Sequence, residues 1–422
     1  MTIQEIKDSL LSNALFKISL GSKELFHSNF IQGILDINDA FGKEFTRAFL
    51  KNLGIEVNPD WQIRSNREKG NIDIILELFQ PGSSESEEDT IFKTIVIENK
   101  VKSLPDREQL IRYKENYPKK GKPTFYLLSL IEPNFDFKKI SWSHISYSDL
   151  SVHIIKAYIS TCVSHGKTKF GFRISFDDLL NEYCEFTETL SRLGDYIKTI
   201  PEEPYNFYDG IYLGVDFKRI RIHDLILKLK YQQIGGLIRE RLLTKKIKCE
   251  SIEDKKGKFV PEDNIVYLNS GFTRSHGLFD IKIFLGNIKF EEYLVPHFLV
   301  VQLQGSQLRY CSYLLKRKVP ETTVQVIHKE VIKGLSENWF NNTILGLELD
   351  RKGEGSGKKN DKVGYCKFGN EFYFRYDIIT NKEQLLTICD ILDYFEKLID
   401  FILTNRTELK YSINTLSLYK YE

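Results

Sequence analysis

The hydrophobic and polar positions of this chain change period several times, and each change marks an element. Residues 1–20 carry apolar positions at helical spacing and predict a short amphipathic helix. In the next stretch Leu25, Phe26, Phe30, Ile31, Ile34 and Leu35, then Phe41, Phe45, Phe49 and Leu50, recur every three or four residues. This predicts two helices, or one interrupted near Asn38, with Ser22 as N-cap and Gly54 as stop. The segment DWQIRSNREKG then alternates as a strand does. Two apolar runs follow, NIDIILELFQ and IFKTIVIENK, joined through a Pro-Gly-Ser turn and an acidic loop, and they read as a β-hairpin with largely buried strands. Pro105 can open a helix reaching to about Tyr117, KPTFYLLSLI reads as another buried strand, and Asp149 to Ser160 as a further helix. The order αβββαβ predicts an α/β protein of the α+β type, a mixed sheet with helices on its faces.

Past about residue 170 the pattern shifts. Two long helices, SFDDLLNEYCEFTETLSRLGDYIKTI and IRIHDLILKLKYQQIGGLIRERLL, precede β-like material rich in Tyr, Phe and Val from Ile265 to Leu315, and KEQLLTICDILDYFEKLIDFILT closes the chain as an amphipathic helix. The expected division is a first domain over 1–165 and an accessory α+β domain over 166–422, suited to target recognition or oligomerisation. The Gly-rich loop DRKGEGSGKKNDK is not a phosphate-binding P-loop, because its Gly-Lys is not followed by Ser or Thr.

Composition narrows the picture. At 422 residues two domains are the natural expectation, and 41% hydrophobic with 28% charged residues is ordinary for a globular protein. No run approaches the roughly 18 apolar residues of a membrane span, and the first residues lack a basic segment followed by an apolar one, so no membrane partner and a cytoplasmic location are expected. Cys162, Cys184, Cys249, Cys311, Cys366 and Cys389 show no paired spacing, which argues against a disulfide framework or a structural zinc. The net charge of +2 is uninformative, but its distribution is not. Between Asn99 and Lys122 there are eight Lys or Arg against three acids, and between Phe217 and Lys248 ten against two. Such runs are either solvated faces or surfaces for phosphates.

The hairpin carries charge where charge is expensive. Asp73 interrupts the first strand, while Glu98 and Lys100 close the second with the two-residue spacing that puts both on one face. Such groups should be ion-paired or should hold a metal. Two carboxylates and an ammonium at neighbouring strand ends suit metal-dependent hydrolysis of a phosphodiester: Asp73 and Glu98 as ligands of a hard cation, Lys100 orienting water or stabilising developing charge.

Taken together, Asn71-Ile72-Asp73, Glu98-Asn99-Lys100 and a following helix with Gln109-Leu-Ile-Arg-Tyr113 resemble the PD-(D/E)XK nuclease superfamily, over about residues 20 to 150. The upstream Glu24-Leu-Phe-His27-Ser28 is similar to the helical opening of such proteins. The resemblance implies a restriction-endonuclease-like fold and a magnesium- or manganese-dependent nuclease, most often acting on DNA. It implies that Glu24 approaches the metal with Asp73 and Glu98, and that Gln109 and Tyr113 face the active site. Lys102, Arg107 and Arg112 lie close enough in sequence to touch a nucleic-acid backbone. A homodimer would let one site per chain cut both strands, and defence against foreign DNA is the biological role the superfamily suggests. Two rival readings remain, an RNase on the same scaffold and a non-catalytic nucleic-acid-binding or interaction subunit.

Overall fold

The apolar periodicity of the first twenty residues is broken at Asn13, whose side-chain oxygen accepts from the Phe16 N–H at 2.9 Å. Two helices therefore form where the periodicity predicts one, α1 (Ile3–Ser12) and α2 (Ala14–Ile18). The computed structural model describes residues 2–19, 24–37, 39–69, 72–82, 88–101, 105, 107–117, 121–133, 135–165, 176–198, 211–212, 215–250, 259–273, 276–305, 307–315, 319–340, 351–352, 365–378, 387–414 and 420–421. Ser22, expected as an N-cap, lies outside them, as do Asn71, Lys102 and most of the acidic and Gly-rich loops. The chain divides into two compact units, Met1–Thr199 with Tyr212–Ile226, and Ile200–Ile211 with Leu227–Glu422.

In the first unit, α3 (Glu24–Leu35) and α4 (Ala40–Asn52) are separate helices, because Asp39 caps the second by accepting from the Gly42 N–H at 2.7 Å. Gly54, at φ 74°, ends α4 in the left-handed region. Then come β1 (Gln62–Lys69), β2 (Ile72–Gln80), β3 (Thr90–Lys100), α5 (Arg107–Asn116), β4 (Pro123–Ser129) and β5 (Ser143–Ser146). They form a five-stranded sheet in the order β1-β2-β3-β4-β5, antiparallel from β1 to β3 and parallel from β3 to β5. A parallel pair needs a crossover, and α5 supplies it, with Leu110 and Ile111 buried in a cluster with Ile72, Ile75, Val96 and Phe125.

The short β5 goes beyond the expected order of elements. It ends in Ser146, which with Asp149 makes a reciprocal cap, so α6 (Tyr147–His165) begins two residues ahead of the expected start. α6 packs against α4 and against α7 (Phe176–Lys198), on which α1 and α2 also pack. The mixed α/β class read from the sequence is the class of the structure.

After a short ribbon, β6 (Ile211–Tyr212) with β7 (Val215–Asp216), the chain runs through α8 (His223–Thr244). The second unit then builds on β8 (Lys248–Glu250), β9 (Ile265–Thr273), β10 (His276–Phe290), β11 (Tyr293–Gln304) and β12 (Gln307–Leu314). α9 (Glu321–Leu335), β13 (Arg351–Lys352), β14 (Cys366–Phe368), β15 (Phe372–Ile378), α10 (Ile388–Thr404), α11 (Arg406–Asn414) and β16 (Lys420–Tyr421) complete it. Its sheet has the order β13-β15-β12-β11-β10-β9-β8, with β14 on β15 and β16 on β10.

A chain of buried hydrogen bonds runs through this unit, and its partners fix every proton. The Asn370 carbonyl can only accept, so His328 donates to it from Nδ1 at 3.0 Å and accepts at Nε2 from the Ser312 hydroxyl at 2.9 Å. Ser312 then accepts from His297 Nε2 at 2.9 Å, and His297 Nδ1 accepts from the Tyr421 hydroxyl at 2.6 Å. Both imidazoles are fully buried, and burial pushes their pKa down, that of His328 to about 4. Between the ordinary histidine value and about 4 the unfolded chain binds more protons than the folded one, so stability falls as pH falls through that window. His328 alone accounts for on the order of 3 kcal/mol across it. Urea unfolding of the full chain should weaken steadily from pH 6.5 to 4, and a His297→Gln/His328→Gln variant, with nothing there to protonate, should lose much of that slope. An unchanged slope would contradict the assignment.

Candidate active site

β2 brings Asp73 to the site, and β3 ends in Glu98, Asn99 and Lys100. The register that pairs Ile74 with Ile97 sets Asp73 beside the end of β3. Glu98 is 2% exposed and Lys100 9%, and Lys100 Nζ lies 2.7 Å from Glu98 Oε1, the shared strand face expected from their spacing. The Asn99 N–H donates to Asp73 Oδ2 at 2.8 Å, so the backbone of one strand holds the carboxylate of the other.

Asn99 is the residue that sequence reasoning undervalues. It is fully buried, and its amide nitrogen donates to the Glu24 carbonyl at 3.1 Å and to Ser28 Oγ at 2.9 Å, while its oxygen accepts from the Tyr147 hydroxyl. One side chain thereby fastens α3 and α6 to the end of β3. A buried amide closing an otherwise apolar strand is the signal that could have found it.

Electrostatics bring Glu24 into the same group. Burial, opposed by Lys100 and reinforced by the charges of Asp73 and Glu24, pushes the Glu98 carboxyl up to about 7. Burial also disfavours the Lys100 ammonium, but Glu98, Glu24 and Asp73 outweigh it and raise its pKa, so it is a cation at neutral pH. His27, fully buried against Tyr183 at 3.2 Å, is pushed down to about 3 by burial and stays neutral. It packs α3 on α7 and carries no charge to the site.

On α5, Gln109 Nε2 donates to the Tyr113 hydroxyl at 2.7 Å, and the Tyr113 ring packs on the cluster that contains Ile72, the neighbour of Asp73. Arg107 is half-buried with Glu108 at 3.6 Å, and Arg112 is exposed on the same helix. Lys102 lies outside the described residues. Four of the ten cations of the second basic run are engaged elsewhere: Lys230 is fully buried, Arg241 pairs with Asp393 at 2.6 Å, Lys245 with Asp400 at 2.9 Å and Lys248 with Glu250 at 2.9 Å.

The residues present fit a cation. Glu98 Oε2 is buried without a hydrogen-bond partner, in a field already made negative by Asp73 and Glu24. Among the described residues no three metal-ligating side chains stand close enough to cage an ion. A cation held by one or two of these carboxylates would complete its shell with water and phosphate oxygens, the habit of magnesium.

Comparison with known proteins adds one finding. Residues 12–176 match the family model described as PD-(D/E)XK nuclease superfamily. No curated protein and no solved structure shows significant similarity to the chain. Among the described residues no helix is long and apolar enough to cross a membrane. The matched segment contains the whole Glu24, Asp73, Glu98, Lys100 cluster and the helix with Gln109 and Tyr113, and over this segment the chain is similar to the PD-(D/E)XK nuclease superfamily.

Proposed function

We propose that the first unit is a metal-dependent nuclease that hydrolyses phosphodiester bonds in DNA, working from Asp73, Glu98 and Lys100. The observation that carries this reading is the buried Glu98 carboxylate, with one oxygen on Lys100 at 2.7 Å and the other without a partner. An unmet oxygen on a buried anion costs up to several kcal/mol, and a cation bound there would remove that cost. Similarity over residues 12–176 to a superfamily that hydrolyses phosphodiester bonds supports the same reading. The superfamily, rather than a feature of the site, is what favours DNA over RNA and a role in defence.

Asp73 and Glu98 would hold a magnesium or manganese ion, with Glu24 from α3 adding negative charge beside them, and the ion when bound neutralises phosphate charge and makes the attacking water more acidic. The Asn99 N–H keeps the Asp73 carboxylate turned towards Glu98. Lys100, cationic at neutral pH, donates to the attacking water or to the phosphate oxygen on which charge develops. Because the Tyr113 hydroxyl accepts from Gln109, its own O–H is left to donate, suited to steadying a phosphate. Arg107 and Arg112 extend the cationic surface of α5 for backbone contacts that position a strand without reading its sequence. The rival, a non-catalytic subunit, is disfavoured because two carboxylates and an ammonium are kept together at a high desolvation cost.

Incubation of the purified chain with plasmid, linear duplex, single-stranded DNA and RNA should give cleavage with magnesium or manganese and none in EDTA. Persistence in EDTA would overturn the metal mechanism. Lys100→Ala and Asp73→Asn should each lower kcat roughly a hundredfold or more, and Glu98→Gln with full turnover would show that the ligands are misassigned. In the absence of metal, Glu98→Gln should melt no lower than the wild type, since the change relieves repulsion among three carboxylates. Asn99→Ala should lower stability by about 3 kcal/mol, because the Tyr147 hydroxyl and the Glu24 carbonyl lose a buried partner. It should also reduce kcat more than it raises KM.

A further inference from the structure

The first unit holds a cavity of about 440 Å³ far from the hydrolytic cluster. It is lined by Lys43 and Arg47 of α4, by Trp61, and by Arg64 of β1 and Phe79 of β2, with Asp36 and Asp60 also at its wall. Phe79 stands six residues beyond Asp73 on β2, roughly 20 Å at the rise of a strand, so a ligand here is not the group cut at Asp73.

The cations of this cavity are not equivalent. Arg64 is charge-paired with Glu77 and Asp89, each at 2.6 Å, and lies over the Phe79 ring at 4.5 Å. Arg47 makes no ion pair among the described residues. Its Nη2 donates to the carbonyls of Pro59 at 3.0 Å and Trp61 at 3.2 Å, which fixes the guanidinium, and its Nε is buried without a partner. A guanidinium held in place with no counter-ion among the described residues keeps its Nη1 donors for an anion. The exposed Lys43 adds a second charge on the same helix. Trp61, held against Phe92 at 4.9 Å and 11° between planes, is a rigid aromatic wall of the kind on which bases stack. The two carboxylates can accept from hydroxyls or amino groups, and Asp36 already accepts from Ser65 Oγ at 2.9 Å. The volume is that of a small-molecule site.

We propose that this cavity binds a nucleotide, its phosphate on Arg47 and Lys43 and its base against Trp61. The same chemistry is offered by a free nucleotide and by the unpaired, phosphorylated end of a strand. Binding does not depend on hydrolysis at Asp73, so the two can fail separately.

Tryptophan fluorescence of the full chain is a direct probe, because Trp61 is half-buried while Trp142 and Trp339 are 2% and 1% exposed. The titrants are deoxynucleoside monophosphates, adenosine, inorganic phosphate, and a short single strand with and without a 5′ phosphate, all in EDTA. Nucleotide should quench saturably, with adenosine and inorganic phosphate each weaker by roughly tenfold or more. Arg47→Met should weaken nucleotide binding by a similar factor, and the exposed Lys43→Glu, which leaves the fold alone, by several-fold. Lys100→Ala should bind as the wild type does, whatever it does to cleavage. Tighter binding of the phosphorylated strand than of the monophosphate identifies a strand end as the source, and the reverse identifies a free nucleotide. Absence of saturation at millimolar nucleotide, inorganic phosphate binding as tightly as nucleotide, or affinity unchanged by Lys43→Glu with a folded Arg47→Met would overturn the proposal.

Discussion

The hydrogen bonds of Asn99 decide where the charged groups of the first unit can stand. Its backbone N–H holds Asp73, its amide nitrogen binds the first turn of α3 at Glu24 and Ser28, and its amide oxygen receives Tyr147 from the start of α6. Removing Asn99 would take a hydrogen bond from each of these groups, at a net cost of roughly 1 kcal/mol or more apiece. Meeting them all with one residue makes the end of β3 a fixed point for two helices and two strands. Only against such a fixed frame can three like charges be held near one another, because a looser frame would let the carboxylates swing apart into water.

Much of this unit is legible in the sequence because the relevant signals are local. The apolar runs from Ile72 and Ile91 give the hairpin, Asp39 and Gly54 bound α4, and the spacing of Glu98 and Lys100 gives their common face. What cannot be read depends on partners distant in the chain. Asn99 appears in sequence as the middle letter of a motif, and its importance rests on Glu24 and Tyr147, 75 and 48 positions away. β5 escapes sequence reading because a four-residue strand has too few positions to show a period. The break at Asn13 escapes it because a side-chain cap can interrupt an amphipathic pattern without altering it.

Charge counted along the chain misleads in a more instructive way. The run from Phe217 to Lys248 carries ten cations against two acids, yet Arg241 and Lys245 are met by Asp393, Glu396 and Asp400 of α10. The acids are about 150 residues away in sequence, so a local count cannot see the neutralisation. On the first unit the opposite holds for Arg47, an unremarkable member of α4 in sequence, whose lack of a counter-ion among the described residues emerges only when its neighbours in space are known.

Two buried polar clusters, one in each unit, therefore carry different meanings. In the second unit Tyr421, His297, Ser312, His328 and Asn370 form a directed chain in which each donor meets an acceptor. A chain of neutral groups satisfied in this way fixes one arrangement of strands and helices and has no valence left for a ligand. In the first unit the Glu98 oxygen is unmet, and its neighbours are carboxylates that make the deficit worse. The buried Asp280 beside Lys282 also keeps one oxygen without a partner among the described residues, but only around Glu98 do two further carboxylates add to the charge. The difference between the clusters is thus the difference between a neutral polar interior whose hydrogen bonds are complete and a charged one in which repulsion among carboxylates is held in check by the frame around Asn99.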